Sequence, residues 1–481
     1  MIDFDRDYQM IIDGELVGTP DTLEVTNPAS KESIARVPNA TKELLESAVG
    51  AARAAFPAWS RRPLVERQHM LTQIAEAMER HAEQFMALLT REQGKPRAGA
   101  EWEVLGSATW FREIAKQSLD DEILEDTDQR RVITRFSPLG VVGAITPWNF
   151  PILLAVWKIA PALLTGNTIV VKPSPFTPLC TLKLGELCNS ILPPGVMNVV
   201  TGGDDLGKWM TAHPDIDKIA FTGHTETGKH VMRSAAATLK RVTLELGGND
   251  PAIVLPDVNP QAIAPLLFWA AFQNNGQFCN ATKRIYVHEK IYDEVLKALV
   301  DFSRTIKVGN GAEADTHLGP IQNLPQYQKV LEYIDDCKQH RYRFAVGGEV
   351  EKNPKGWFIP VTLVDNPPDE SRIVAEEPFG PIVPLLKWRD EQDVIDRANK
   401  SRYGLGASVW GKDLVAVERI GAQLQSGTVW INEIHQYSPH QAFGGHKESG
   451  IGCENSLHGL MEYTNWKTIT MNKRVGFGAK R

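Results

Sequence analysis

The sequence predicts an α/β protein: a doubly wound, nucleotide-binding type of domain joined to a second α/β domain. Three observations predict it. From residue 140 onward, short β-rich runs alternate with helix-length segments, the pattern of successive βαβ units and a parallel sheet. A second alternating block begins at Pro251-Ala252-Ile253-Val254-Leu255. At 481 residues the chain is also longer than a single growing core supports, so at least two domains with a cleft between them are expected.

Taken in order, Thr41 to Glu92 is rich in Ala, Glu, Arg and Leu at helical spacing and reads as helices packed on a sheet face. Asp126 to Phe136 has β character but lies outside both alternating blocks. Strands are expected at Val141 to Ile145, Thr168 to Lys172, Met197 to Val200, Ile219 to Thr222 and Val242 to Leu246, with helices such as Leu182 to Cys188 and Gly228 to Ala237 between them. Ligands of such a sheet sit beyond the carboxyl ends of its strands. In the second block a long helix is expected around Phe268 to Asn274, followed by the strand Ile285 to His288. Thr464 to Asn472 is again β-rich and, with Asp126 to Phe136, makes a candidate protruding arm. Between Leu139 and Val171 the only charge is Lys158, and a hydropathy window alone would offer a membrane helix there. Pro147, Pro151, Pro161 and the Gly166-Asn167 pair divide it into strand, loop, helix and strand instead, so no membrane partner is expected.

The composition, 42% hydrophobic and 23% charged, is that of an ordinary globular enzyme. A net charge of -7 supplies no basic field for neutralising phosphates, which excludes a nucleic-acid partner. The five cysteines, Cys180, Cys188, Cys279, Cys337 and Cys453, are odd in number and form no Cys-x-x-Cys pair. Neither a disulfide framework nor a metal site is therefore expected, and free thiols point to a reducing cytoplasm. The start Met1-Ile2-Asp3-Phe4-Asp5 is acidic and lacks the cationic opening of a signal peptide.

The run Phe272-Gln273-Asn274-Asn275-Gly276-Gln277-Phe278-Cys279 places a cysteine just beyond a predicted helix, in a loop carrying Gly and side-chain amides, where a thiol can be exposed. Cysteine attacks as thiolate, so near neutral pH it needs an activating base or a favourable field. Glu245, at the end of a predicted strand in Leu244-Glu245-Leu246-Gly247-Gly248-Asn249, is the natural candidate. A partly buried carboxylate can have its pKa raised and can also activate a hydrolytic water.

With Ala281 and Arg284 following and the Glu245 strand preceding, this run resembles the active-site signatures of the NAD(P)-dependent aldehyde dehydrogenase superfamily. The resemblance covers nearly the whole chain and keeps the family's motif order. It runs through Pro147-Trp148-Asn149-Phe150-Pro151, Gly166-Asn167-Thr168, Lys172-Pro173-Ser174, Phe221-Thr222-Gly223, the Glu245 and Cys279 segments, Glu377-Pro378-Phe379-Gly380-Pro381, and Phe443-Gly444-Gly445-His446-Lys447-Glu448-Ser449-Gly450. Each motif alone is weak to moderate; eight in register are specific.

The resemblance implies that Cys279 adds to an aldehyde carbonyl, that Asn149 and the Cys279 N–H hold the resulting oxyanion, and that Glu245 activates water to hydrolyse the thioester left after hydride transfer. It implies a cofactor site using Ile145, Thr146, Pro147, Trp148, Lys172, Ser174, Pro175, Gly207, Phe221, Thr222, Gly223, His224, Leu246, Gly247, Glu377 and Phe379, with Lys172 also counted in the catalytic set. Lys172 would hydrogen-bond the adenosine ribose, Glu377 the nicotinamide ribose, and a helix beginning near Glu226 would turn its N-terminus to the pyrophosphate. Two departures bear on cofactor choice: Pro175 stands where many relatives carry a ribose-gripping glutamate, and His224 replaces the commoner serine. The expected cofactor is NAD, with NADP open, since a carboxylate that would repel a 2′-phosphate is missing. Phe150, Leu154, Trp157, Phe278 and Phe443 would line the aldehyde tunnel, with Trp110 nearby, suiting an aromatic or medium-chain apolar aldehyde. A small anionic semialdehyde would call for a tunnel arginine. The segment 433–440 aligns with a variable loop that reads substrate tails in relatives. Cys453 stands where relatives usually carry arginine.

By the same likeness the cofactor-binding domain takes residues 1–123 and 138–247 with part of 446–463, the catalytic domain 248–445, and an oligomerisation arm 124–137 and 464–481, giving a homodimer or homotetramer. Alternatives are a semialdehyde or CoA-acylating dehydrogenase of the same fold, against which Glu245 argues because water needs a base, and a non-catalytic binding protein. A P-loop NTPase is suggested by Gly223-His224-Thr225-Glu226-Thr227-Gly228-Lys229, but His230 occupies the position where Ser or Thr holds magnesium.

Overall fold

A computed structural model of the chain describes residues 2–5, 8–352 and 354–474. Its first sheet has eight strands in the order Glu15–Val17, Met10–Ile12, Met197–Val199, Thr168–Lys172, Val141–Ile145, Lys218–Thr222, Arg241–Glu245, Gly450–Ile451. The five strands from Met197–Val199 to Arg241–Glu245 are mutually parallel, as expected. The sheet as a whole is mixed, because the N-terminal strands and Gly450–Ile451 add antiparallel edges. Glu15–Val17 is largely exposed and Met10–Ile12 fully buried, so neither shows the alternation that betrays a strand. The hairpin Thr22–Thr26 with Ser33–Pro38 was equally silent in the sequence.

Predicted ends shift by a residue or a few: Met197–Val199, Lys218–Thr222 and Arg241–Glu245 are the strands, and Leu179–Asn189 and Thr225–Ala236 the helices. The region Thr41 to Glu92 forms three helices, the first of which, Lys42–Ser60, buries Leu45, Ala48, Val49 and Ala52 along one stripe. Helix Leu153–Leu164 is buried at every position, and this explains the long apolar run around Lys158. No helix among the described residues is long and apolar enough to cross a membrane.

The second sheet runs Arg343–Val346, Thr362–Asp365, Ile382–Trp388, Thr282–His288, Asp250–Val254, Gly406–Trp410, Thr428–Ile431, parallel except at its first pair. The helix expected to reach Asn274 starts at Pro260 and stops at Phe272. Asn274, Asn275 and Gly276 then all take positive φ (50°, 59° and 73°), a left-handed turn that Asn and Gly tolerate best and that swings the chain into the Cys279 loop. The β character at Asp126 to Phe136 resolves into two strands, Glu122–Asp126 and Arg130–Pro138, which pair with Thr464–Asn472 in a separate three-stranded sheet. Ile123, Leu124, Trp466 and Met471 of this sheet are exposed. Residues 475–481 of the expected arm lie outside the described residues.

Candidate active site

Five candidate residues end four adjacent parallel strands of the first sheet in register: Lys172 opposite Ile145, Ile145 opposite Phe221, and Thr222 opposite Glu245. Their alignment follows from topology, since parallel strands of equal length end on one edge and open a crevice there. Glu245 is buried and neither carboxylate oxygen has a hydrogen-bond partner. Burial first, then the nearby Glu454, pushes its carboxyl well above the ordinary range, opposed by Lys158. Lys158 is itself fully buried, donating to Thr222 Oγ1 at 2.8 Å and to Glu454 at 2.7 Å. A buried carboxyl without a partner is costly to keep and marks a functional position.

Cys279 enters from the opposite side, on the loop leading into strand Thr282–His288. The loop is held closely: a Cβ on Gly276 would lie 2.4 Å from Gly380 O. Gln277 donates to Asn274 O at 2.9 Å and accepts from Gln322 N at 2.8 Å. The Cys279 thiol is half-buried, and its nearest polar partner is Asn280 Oδ1 at 3.9 Å. Desolvation pushes the thiol up to about 12, with Glu245, Asp250 and Glu377 adding to the rise and Lys283 opposing it. The base expected from the sequence thus lines the same cavity as the thiol without being hydrogen-bonded to it. In this resting arrangement the thiol holds its proton at neutral pH.

Asn149 brings its amide to the same place, donating to Gln277 O at 3.1 Å. Its own carbonyl accepts from Lys95 Nζ at 3.0 Å and Asn274 Nδ2 at 3.1 Å. Lys95 is paired with Glu103 at 2.5 Å, both buried, and Glu103 in turn accepts from Ile152 N and Leu153 N. Sequence reasoning missed this anchor: Lys95 stands before helix Arg97–Ala115, outside the helical spacing that would have paired it with Glu103.

Beside Cys279 a cleft is lined by Pro147, Trp148, Asn149, Thr222, Gly223, His224, Glu377 and Phe379. Phe379 holds a left-handed φ of 52° and meets the Trp148 ring edge-on at 5.4 Å. Glu377 accepts from Gly248 N at 3.1 Å and pairs with Lys283 at 3.2 Å. Gly247 is required here, since a Cβ would lie 2.3 Å from the Glu377 carboxylate. Farther along the edge, Lys172 is buried, its side chain has no hydrogen bond or ion pair among the described residues, and desolvation lowers its pKa to about 8. Gly207 leaves room beside its Cε, and Thr146 Oγ1 is buried and unpartnered. Lys172 and Thr146 stand at the carboxyl ends of two adjacent strands, on the same edge of the sheet as Thr222 of the cleft, and a cation and an unpartnered hydroxyl near a carboxylate-bearing cleft fit a ligand with hydroxyl and phosphate groups. Ser174 Oγ accepts from Phe176 N at 3.3 Å, and Pro175 is half-buried beside it. Leu246 packs against Gly228, and the Phe221 ring lies under Gly223. His224 caps helix Thr225–Ala236, accepting from Glu226 N at 3.3 Å. Lys229 of the P-loop-like turn is engaged by Glu226 and Glu448.

On the other side of Cys279 and Glu245 lies a narrow apolar cavity lined by Phe150, Leu154, Trp157, Phe278 and Phe443, together with Trp102, Leu153 and Tyr437. The cavity holds about 30 Å³, room for about two waters. Trp110 is one layer back: it stacks on Trp157 at 5.7 Å and donates to Asn455 Oδ1, so it supports the wall and does not form it. Trp102 and Phe150 also line a second space of about 560 Å³, bordered by Lys95, Trp269, Gln273 and His317. The loop at 433–440 delivers Tyr437, whose hydroxyl accepts from Asn280 at 2.6 Å, and His435, whose ring lies tilted 4.6 Å from that of Phe278. Cys453 is half-buried with its thiol pushed up to about 12 by burial and Glu462.

The profile of the aldehyde dehydrogenase family matches residues 17–469. Aldehyde dehydrogenase LUC3 of a Fusarium species is 38% identical over 97% of this chain and 99% of its own length. The phenylacetaldehyde dehydrogenase of Pseudomonas fluorescens is 39% identical over 96% of each chain. Among solved structures, the NAD+ complex of an aldehyde dehydrogenase from Bacillus cereus superposes with a TM-score of 0.95 at 37% identity, covering 98% of this chain and 97% of its own. Betaine aldehyde dehydrogenase from Staphylococcus aureus, in complex with NAD+, gives 0.94 at 36% identity, over 98% and 97%.

Proposed function

Because the chain belongs to the aldehyde dehydrogenase family, we propose that it oxidises an apolar aldehyde to the carboxylic acid through a thiohemiacetal and thioester on Cys279, with hydrolysis by water. The observation that carries this reading is the buried, unpartnered carboxyl of Glu245 on the same narrow cavity as the Cys279 thiol. Cys279 gives its proton to water and, as thiolate, bonds through Sγ to the carbonyl carbon, whose oxygen turns negative toward the second Asn149 N–H and the Cys279 N–H. A bound nicotinamide dinucleotide supplies the acceptor for the hydride that leaves this carbon. Glu245 then takes a proton from water as the water adds to the thioester, and the thiol is released with the acid. A raised pKa makes the Glu245 carboxylate a stronger acceptor for the proton of that water.

NAD is the proposed cofactor. The NAD+ complexes of similar chains support it, as do the buried Lys172 at the sheet edge and Glu377 in the cleft beside Cys279. Residues 248–445 are proposed as the catalytic domain and the three-stranded arm, with its exposed Trp466 and Ile123, as the contact through which copies associate. The decisive experiment is product analysis with phenylacetaldehyde and NAD: acid must form with no added coenzyme A. Formation of product only when coenzyme A is supplied would overturn the hydrolytic reading.

Two outcomes follow from the geometry. Asn149→Ala is expected to lower kcat by about 10²–10³, the worth of one oxyanion donor, with little change in thermal midpoint. Steady-state rates against circular dichroism melts check this. The inner cavity has no lysine or arginine, whereas Trp102 and Phe150 form its continuation into the wider space. Dodecanal is therefore expected to show a lower KM than hexanal, and Trp102→Ala to raise the dodecanal KM roughly tenfold, the effect of about 1.4 kcal/mol of lost burial. A preference for succinate semialdehyde over both would defeat the apolar assignment.

A further inference from the structure

We propose that Lys283 is a positioning residue that ties the Cys279 loop to Glu377 and supplies the positive charge against which the Cys279 thiolate forms. The proposal rests on Cys279 being the nucleophile, as read above. Lys283 is 3% exposed and its ammonium has three protein acceptors: Phe278 O at 3.0 Å, Cys279 O at 2.5 Å and Glu377 Oε1 at 3.2 Å. An ammonium has three N–H groups, so these acceptors fill its capacity. Two of them are backbone carbonyls of the loop carrying the thiol. The third belongs to the carboxylate that borders the cofactor cleft, already tied to the end of the Glu245 strand through Gly248 N at 3.1 Å. One side chain therefore fixes the nucleophile's backbone relative to both the base's strand and the cleft.

The charges around Cys279 make Lys283 more than a brace. Glu245 arrives from strand Arg241–Glu245, Asp250 from strand Asp250–Val254 and Glu377 from the loop before strand Ile382–Trp388; all three oppose a thiolate. Tyr437 and His435, from the loop at 433–440, are kept uncharged by burial, and Lys329 faces Glu377. Lys283 is the cation that acts on the thiol in the opposite sense. Removing it leaves three acidic groups against the sulfur, so the thiolate must form at higher pH.

The test is alkylation of Cys279 by iodoacetamide across pH in the full-length protein without NAD, followed by mass spectrometry of the active-site peptide, with Cys279→Ala as the control for the site. Lys283→Gln keeps a donor and removes the charge; its alkylation midpoint is expected to rise by about one pH unit, a roughly tenfold slower reaction at neutral pH. Its KM for NAD should also rise, because Glu377 loses its anchor. Lys283→Arg should stay near the wild-type midpoint. Glu377→Gln, which does not depend on the lysine variants folding, should move the midpoint downward. An unchanged midpoint in a folded Lys283→Gln protein, an Arg variant shifted as far as the Gln variant, or an unmoved Glu377→Gln protein would each overturn the proposal. If instead Cys279→Ala keeps wild-type aldehyde turnover, the nucleophile reading is what fails.

Discussion

Replacing Cys279 by alanine is expected to leave a folded protein whose aldehyde-dependent NAD reduction has fallen by at least about 10⁴-fold, the scale seen when a covalent nucleophile is deleted. No second thiol can take over. Cys180 and Cys188 are buried in helix Leu179–Asn189, Cys337 is buried in the second core, and Cys453 is not among the residues lining the Cys279 cavity. The side chain is half-buried, makes one long contact with Asn280, and its removal deletes a single sulfur, so stability should move by no more than about 1 kcal/mol. Fluorescence-monitored melting and a nicotinamide absorbance assay on the same preparation separate loss of chemistry from loss of fold. Retention of full activity would sink the mechanism.

The second large effect is expected for Glu245→Gln. If Glu245 acts chiefly in hydrolysis, the variant should still form the thioester and show a burst of nicotinamide reduction close to one equivalent per chain. Steady-state turnover should drop by about 10²–10⁴, the usual contribution of a general base. The pH dependence provides an independent check. Burial raises the Glu245 carboxyl, so below its raised pKa the group is protonated and cannot accept a proton from water. The wild-type turnover should therefore climb as pH passes upward through that value, and this limb should vanish in the Gln variant. Absence of both burst and turnover would place Glu245 before the thioester, in activating the thiol. Gln is a fair replacement because neither carboxylate oxygen makes a hydrogen bond whose loss would unsettle the strand.

Much of the fold could be read from the sequence because its inner parallel strands are short apolar runs punctuated by Gly, Pro and polar residues. The same local signals failed at the edges. Glu15–Val17 carries no alternation, and Gly450–Ile451 is two residues recruited by Glu245's strand from the far end of the chain. The turn after Phe272 was foreseen as a loop, yet its left-handed Asn274 and Asn275 are what direct Cys279 into the cleft. Trp110 illustrates the opposite error. A motif-neighbour tryptophan looks the same in sequence whether it faces a cavity or backs another ring, and here it backs Trp157.

The chain's own order of residues determined the α/β class, the positions of Cys279, Glu245 and Asn149 in their motifs, and the apolar character of the tunnel set. These depend on short-range patterns: strand periodicity, helix stops, glycines at turns. Only the tertiary structure decided that Lys283 bridges the Cys279 loop to Glu377, that Lys95 and Glu103 pin Asn149, and that Glu245 is buried without a partner among the described residues. Each of these is set by which distant segments the two sheets bring within a few ångströms. Burial and hydrogen bonding act through space, and at those separations along the chain no local periodicity records them.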